Sequence, residues 1–185
     1  IDMGRAVRNR VTLREITDII NRKDIDYETV CGVLNIFRLP GNNFIRPYID
    51  AEDIESQYLP ADAILDITHE ALIRNWEVLT YWEVEERENY SDFQDFSVQL
   101  ERWKVNNKAN EFLLPLGTLV HFEKWYQKNR PNKYWIAKYD NQLDTKESKI
   151  ERAELLVEEI REYLTKSRHA IKMAEKAKRR RRTVL

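Results

Sequence analysis

Glycine is scarce in this chain: only Gly4, Gly32, Gly41 and Gly117 occur among 185 residues. None belongs to a G-x-x-x-x-G-K-[ST] loop, so no backbone cradle for nucleotide phosphates is encoded. A strand ending in paired acids, the usual companion of such a loop, is not evident either. No G-x-S-x-G elbow is present, which removes the common serine-hydrolase nucleophile. The single cysteine, Cys31, cannot form an internal disulfide; it reads as a small buried hydrophobe in a reducing, cytoplasmic setting. The three histidines (His69, His121 and His169) fall on separate predicted helices, and no Cys–His spacing suits zinc. No apolar run approaches the roughly 18 residues needed to cross a bilayer, and no signal peptide is read ahead of the first helix. The chain opens at Ile1 without Met and closes just after a basic run. We read it as a non-catalytic piece of a larger polypeptide, with no metal and no cofactor of its own.

What is present is charge, unevenly spread. Hydrophobic residues make up 42% and charged residues 34%, for a net charge of -1, which is ordinary for a globular chain rich in exposed helices. Between Glu52 and Glu101 there are 14 acids, opposed before Arg102 only by Arg74 and Arg87. The tail from Lys172 to Arg182 reverses this, with seven bases against Glu175. Such segregation points to surfaces that meet each other or a partner.

Residues 66–76, Asp-Ile-Thr-His-Glu-Ala-Leu-Ile-Arg-Asn-Trp, carry the most specific signal. A β-type segment (Ile64, Leu65, Ile67) runs into a helix, with Thr68 as the expected N-cap. His69 then takes the first helical position, where free N–H groups and the positive dipole end favour an anion. Leu72, Ile73, Trp76 and Leu79 repeat at helical spacing and would anchor that helix. By itself a histidine beside an apolar helix face is more often structural than functional.

Thr68-His69-Glu70-Ala71-Leu72-Ile73-Arg74 resembles the strand-to-helix signature in the winged-helix region of STAND proteins, the signal-transduction ATPases with numerous domains. Further segments resemble the bacterial form of that family in the same order. They are Phe37-Arg38-Leu39-Pro40-Gly41 through Pro47, Trp82-Glu83-Val84-Glu85-Glu86, Trp125 through Pro131 with Trp135 through Tyr139, and Tyr163-Leu164-Thr165-Lys166-Ser167-Arg168. Together they span about residues 30 to 175. The resemblance implies that His69 touches the β-phosphate of ADP bound by the NTPase core of the same polypeptide. Glu70 and Arg74 become candidates for locking the domains together, although Arg74 also stands at i,i+4 from Glu70 for a simple salt bridge. Glu70 stands where plant and animal members have Asp. Implied partners are that core and downstream sensor or effector modules.

The expected organisation is mainly α, with a winged-helix unit over residues 1–80 and a helical domain over 81–185. Helices are expected over Val11–Ile20 and Tyr27–Phe37, a turn at Pro40–Asn43, and one small β-hairpin from Phe44-Ile45 and Ala63–Thr68 around a long loop. The signature helix should end near Glu88 and a new one should carry Phe93, Phe96, Leu100 and Trp103. Helices over Leu116–Gln127 and Tyr134–Tyr139 follow, their aromatics filling a bundle core. A last long helix shows a heptad-like stripe: Ile150, Ala153, Val157, Ile160, Leu164, Ser167, Ile171 and Ala174. Its end, with Lys178, Arg179, Arg180, Arg181 and Arg182, suits the negative pole of the helix. This basic tail is also a candidate for weak contact with anionic lipid or nucleic acid.

The rival reading is a winged-helix nucleic-acid-binding module. A recognition helix needs Arg, Lys, Asn or Gln facing the groove. Tyr27–Phe37 offers Asn35 and no internal base, and Glu28 would repel phosphate. Arg38 and Arg46 lie nearby.

Overall fold

The computed structural model describes residues 10–68 and 76–183. It is mainly helical with a small three-stranded antiparallel sheet. The chain divides into two units, Ile1–Arg87 and Glu88–Leu185.

In the first unit, strand β1 (Val11–Thr12) leads directly into helix α1 (Leu13–Ile20). Thr12 caps that helix: its hydroxyl accepts from the Glu15 N–H at 3.2 Å, and the Glu15 carboxylate accepts from the Thr12 N–H at 2.8 Å. This reciprocal box fixes the helix start at Leu13. The expected start at Val11 is corrected accordingly, because Val11 and Thr12 are extended and pair with Leu65 and Ile64. Helix α2 (Tyr27–Arg38) begins at Asp26, whose carboxylate accepts from the Thr29 N–H at 2.8 Å. It stops because Pro40 drives Leu39 out of the helical region, to ψ 147°. Gly41, at φ +92°, takes the turn that L side chains resist.

Strands β2 (Ile45–Arg46) and β3 (Ile64–Ile67) pair antiparallel, Ile45 with Ile67 and Arg46 with Asp66. The order is β1-β3-β2, so the expected hairpin is present but carries a third strand on its other side. Leu13, Val30, Leu59 and Leu65 form the core of this unit, with Ile16, Ile20, Leu34 and Ile45 half-buried against it.

Helix α3 (Glu77–Val105) is continuous. The expected break between Glu88 and Phe93 does not occur, since no Gly or Pro lies between residues 77 and 105 to stop the helix. Helices α4 (Leu116–Asn129), α5 (Lys133–Ala137) and α6 (Lys146–Thr183) complete the second unit. Helix α4 ends where Arg130 turns left-handed at φ 44°, just before Pro131.

Aromatic rings fill this second core. Phe96 meets Phe122 edge-on with centroids 4.9 Å apart, and Trp103 stacks on Tyr163 at 4.8 Å. These are offset and edge geometries that the ring quadrupoles favour. The stripe on α6 is buried from Ala153 through Val157, Ile160 and Leu164 to Ser167, half-buried at Ile171 and exposed at Ala174. Lys104–Glu159 (2.8 Å), Lys108–Glu162 (2.6 Å) and Lys133–Glu154 (2.8 Å) tie α6 to its neighbours. All three pairs are partly exposed and contribute little each.

The segment Tyr163–Arg168 is an anchor. The Tyr163 hydroxyl donates to the Phe112 carbonyl at 2.8 Å, the Leu114 N–H donates to the Ser167 hydroxyl at 3.1 Å, and Arg168 pairs with Glu123. Burial pushes the Tyr163 phenol up to about 12. The folded state therefore holds this proton more tightly than the unfolded chain, whose tyrosine titrates near about 10. The resulting stabilisation is complete below pH 10 and is lost as the pH rises through 12, amounting to about 3 kcal/mol. Urea midpoints measured from pH 9 to 12 should fall more steeply for the wild type than for Tyr163→Phe.

Candidate functional site

The site indicated by the sequence follows directly on β3, the middle strand of the sheet. Leu65 and Asp66 are buried in that strand, and Asp66 pairs with Arg10 at 3.4 Å. At the strand end the Thr68 N–H donates to the Phe44 carbonyl at 2.9 Å. The Thr68 hydroxyl lies 3.1 Å from the Tyr48 hydroxyl, which also accepts from Arg46 Nε at 3.2 Å. The Arg46 guanidinium sits 5.6 Å from the Tyr48 ring centroid as well. Arg46 first, and Thr68 second, hold the Tyr48 phenol below its usual range. The last described residue before the motif is thus braced from β2 and from the loop that follows it.

That loop is in turn fastened to α2 by Arg38, which is 1% exposed. Its Nε donates to the Pro47 carbonyl at 2.6 Å and its Nη2 to the Ser56 carbonyl at 2.7 Å; Nη1 donates to the Asn35 side-chain oxygen. Asn35 also donates to the Gln57 carbonyl at 3.1 Å. Burial lowers the Arg38 pKa, but guanidinium stays charged at any ordinary pH. The charge is carried by the Pro47 carbonyl and by the Ser56 carbonyl near the end of a short 3-10 turn, Ile54–Gln57. A Ser56 hydroxyl to the Asp50 N–H contact of 2.9 Å closes the same loop.

His69, Glu70 and Arg74 lie outside the described residues, as do Leu72 and Ile73 of the expected anchoring face. Trp76, beyond them, is half-buried, its ring centroid 6.0 Å from that of Phe37 and 6.1 Å from that of Trp82. The other two histidines are not part of this arrangement. His121 faces Asp92 at 3.1 Å on the second unit, and His169 lines a groove there. Among the described residues no group of three or more His, Cys, Asp or Glu side chains is arranged to hold a metal ion. Cys31 is half-buried rather than fully buried, its thiol 3.7 Å from the Gln57 carbonyl. Of the basic tail, Lys178, Arg179, Arg180 and Arg181 are exposed on α6, and Arg182 lies within the same helix. No described helix is long and apolar enough to cross a membrane.

The geometry bears on the rival reading too. Asn35 and Arg38, two of the few groups near α2 able to read or hold a nucleic acid, are turned inward and spent on the loop. The outward residues of α2 include Val33 and Ile36, at 55% and 57% exposure, with no base among them. The Arg46–Tyr48–Thr68 brace was not anticipated from sequence. Its one signal was the dense placing of Arg46, Pro47 and Tyr48 at the end of β2.

No family model matches this chain, and neither a curated protein nor a solved structure does.

Proposed function

We propose that this chain is the winged-helix and adjoining helical region of a bacterial-type STAND NTPase, a non-catalytic relay between a nucleotide-binding core and downstream sensor or effector modules. The reading rests first on the motif likenesses in their order, Phe37–Pro47, Thr68–Arg74, Trp82–Glu86, Trp125–Tyr139 and Tyr163–Arg168. Its single most telling structural support is the braced strand end at Thr68, the described residue that immediately precedes His69 in the sequence. The order β1, α1, α2, β2, long loop, β3, with β3 central, also suits a winged-helix unit.

On this reading ADP belongs to the core, and its β-phosphate is the group met in the resting state. This chain contributes the imidazole of His69, with Glu70 and Arg74 as the contacts that hold the domains together. A nucleotide shifts such an equilibrium only through its different affinity for two arrangements. The relay therefore requires that the His69 contact exist in one nucleotide state and not in the other. Helix α3 begins in one unit and ends in the other, which makes it the natural carrier of any displacement. The test is the nucleotide content of a chain that includes both the core and this region, with His69 intact and replaced.

The nucleic-acid module through α2 is the weaker reading, since the helix presents apolar side chains outward and its nearest arginine is buried.

A further inference from the structure

The last turns of α6 differ from the rest of that helix in one respect. Up to Arg168 several of its bases are paired with carboxylates: Arg152 with Asp140, Lys166 with Glu162, and Arg168 with Glu123. From Lys172 to Arg181 the helix is exposed at every position and carries six bases against Glu175. Among the described residues no carboxylate pairs with Lys172, Lys176, Lys178, Arg180 or Arg181.

These bases are placed in two ways. Arg168, Lys172, Lys176 and Arg180 stand four residues apart, about 6 Å of rise per step, and form a row along one side. That row begins at an open groove of about 600 Å³ between α4 and α6, where Arg161, His169 and Lys172 add positive or protonatable groups. Lys178 to Arg181, four consecutive residues, spread their charge around the whole helix at about 100° per residue.

The side chains accompanying this charge decide among polyanions. Protein interfaces bury an apolar core and are poor in lysine. Here the exposed end offers only Met173, Ala174 and Ala177 beside the bases. A helix that lies in a bilayer surface needs a broad apolar face opposite its basic one, and charge on all sides leaves no room for it. A helix that enters the major groove of a duplex is instead flanked by phosphates on both sides, and such interfaces are polar and strongly positive. We infer that the end of α6, from Lys172 to Arg181, binds duplex nucleic acid through its phosphate backbone, without sequence preference. This goes beyond the relay reading, and none of the residues from Lys172 to Arg181 is one on which that reading rests.

The experiment follows fluorescence anisotropy of a labelled 20-base-pair duplex of arbitrary sequence with the full 185-residue chain, over a series of NaCl concentrations. With four to five phosphates neutralised, the log–log slope against salt should be about −4. A second duplex of scrambled sequence should bind within about twofold. The variant Lys172→Gln/Lys176→Gln/Arg180→Gln should bind at least about tenfold more weakly and flatten the slope by about 3. Its substitutions are all exposed, and an unchanged far-UV spectrum would show the fold intact. Absence of binding at low salt, or binding untouched by the triple variant, would overturn the proposal. So would tighter association with phosphatidylserine vesicles or poly-glutamate than with duplex, which would assign the same charge to lipid or to an acidic protein.

Discussion

Replacing Trp103 with alanine should cost the second unit about 3–5 kcal/mol, the range for removing a large aromatic from a packed core. Trp103 is 0% exposed and stacks on Tyr163. The Nζ atoms of Lys108 and Lys166 lie 5.1 and 5.3 Å from its ring centroid. Both lysines also pair with Glu162, so the indole is the floor of a small charged cluster. A useful contrast is Trp103→Phe. The indole N–H is buried with no acceptor among the described residues, and a buried donor without a partner is a net cost. Phenylalanine keeps the stack on Tyr163 and removes that donor, so its loss should stay near about 1 kcal/mol. Chemical denaturation of both variants checks the argument. Equal losses would mean that ring volume and stacking are not what Trp103 supplies.

Arg38→Met should lower stability by about 3 kcal/mol, and the damage should be local. The substitution keeps much of the side-chain length but leaves the Pro47 and Ser56 carbonyls without their charged donor, each such bond being worth about 1.5–3 kcal/mol. Compensation comes from no longer burying a cation, which keeps the total below the sum. Because Arg38 is the fastening between α2 and the loop, amide exchange should accelerate across residues 47–57 more than in α1. Arg38→Lys should recover little, since one ammonium cannot reach carbonyls that the guanidinium fork reaches from separate nitrogens. Uniform acceleration over the first unit would show that Arg38 supports the core rather than the loop.

Much of this architecture was legible because local chemistry and burial agreed. The end of α2 followed from Pro40, and the α6 stripe followed from apolar spacing. The aromatic clusters of Phe93, Phe96, Trp103, Trp125 and Trp135 are core residues as their periodicity suggested. Two features resisted. Val11-Thr12 sits next to an amphipathic helix, so periodicity alone absorbed it into α1; only pairing with Leu65 and Ile64, more than fifty residues away, makes it a strand. The continuity of α3 was hidden because Glu88–Asp92 holds a single ring, Tyr90, among polar residues, which reads as a boundary although nothing there breaks a helix.

The site was legible to a different degree. The sequence singled out the junction at Thr68-His69, and the structure shows how its near side is held. It could not announce that Arg38 would be buried, since a lone arginine after an apolar helix face normally reaches solvent. Nor could spacing show that Tyr48 would brace Thr68, because that contact depends on how a loop of about 17 residues folds back between β2 and β3.

The account stands on His69 as the link between this region and a bound nucleotide. The most direct measurement purifies the chain joined to its NTPase core and counts ADP per protein, in wild type and in His69→Ala. The account predicts ADP retained in near-stoichiometric amount by the wild type and at least about tenfold weaker retention in the variant, both proteins remaining folded. Equal ADP in the two would contradict it and leave His69 without a role in holding the nucleotide.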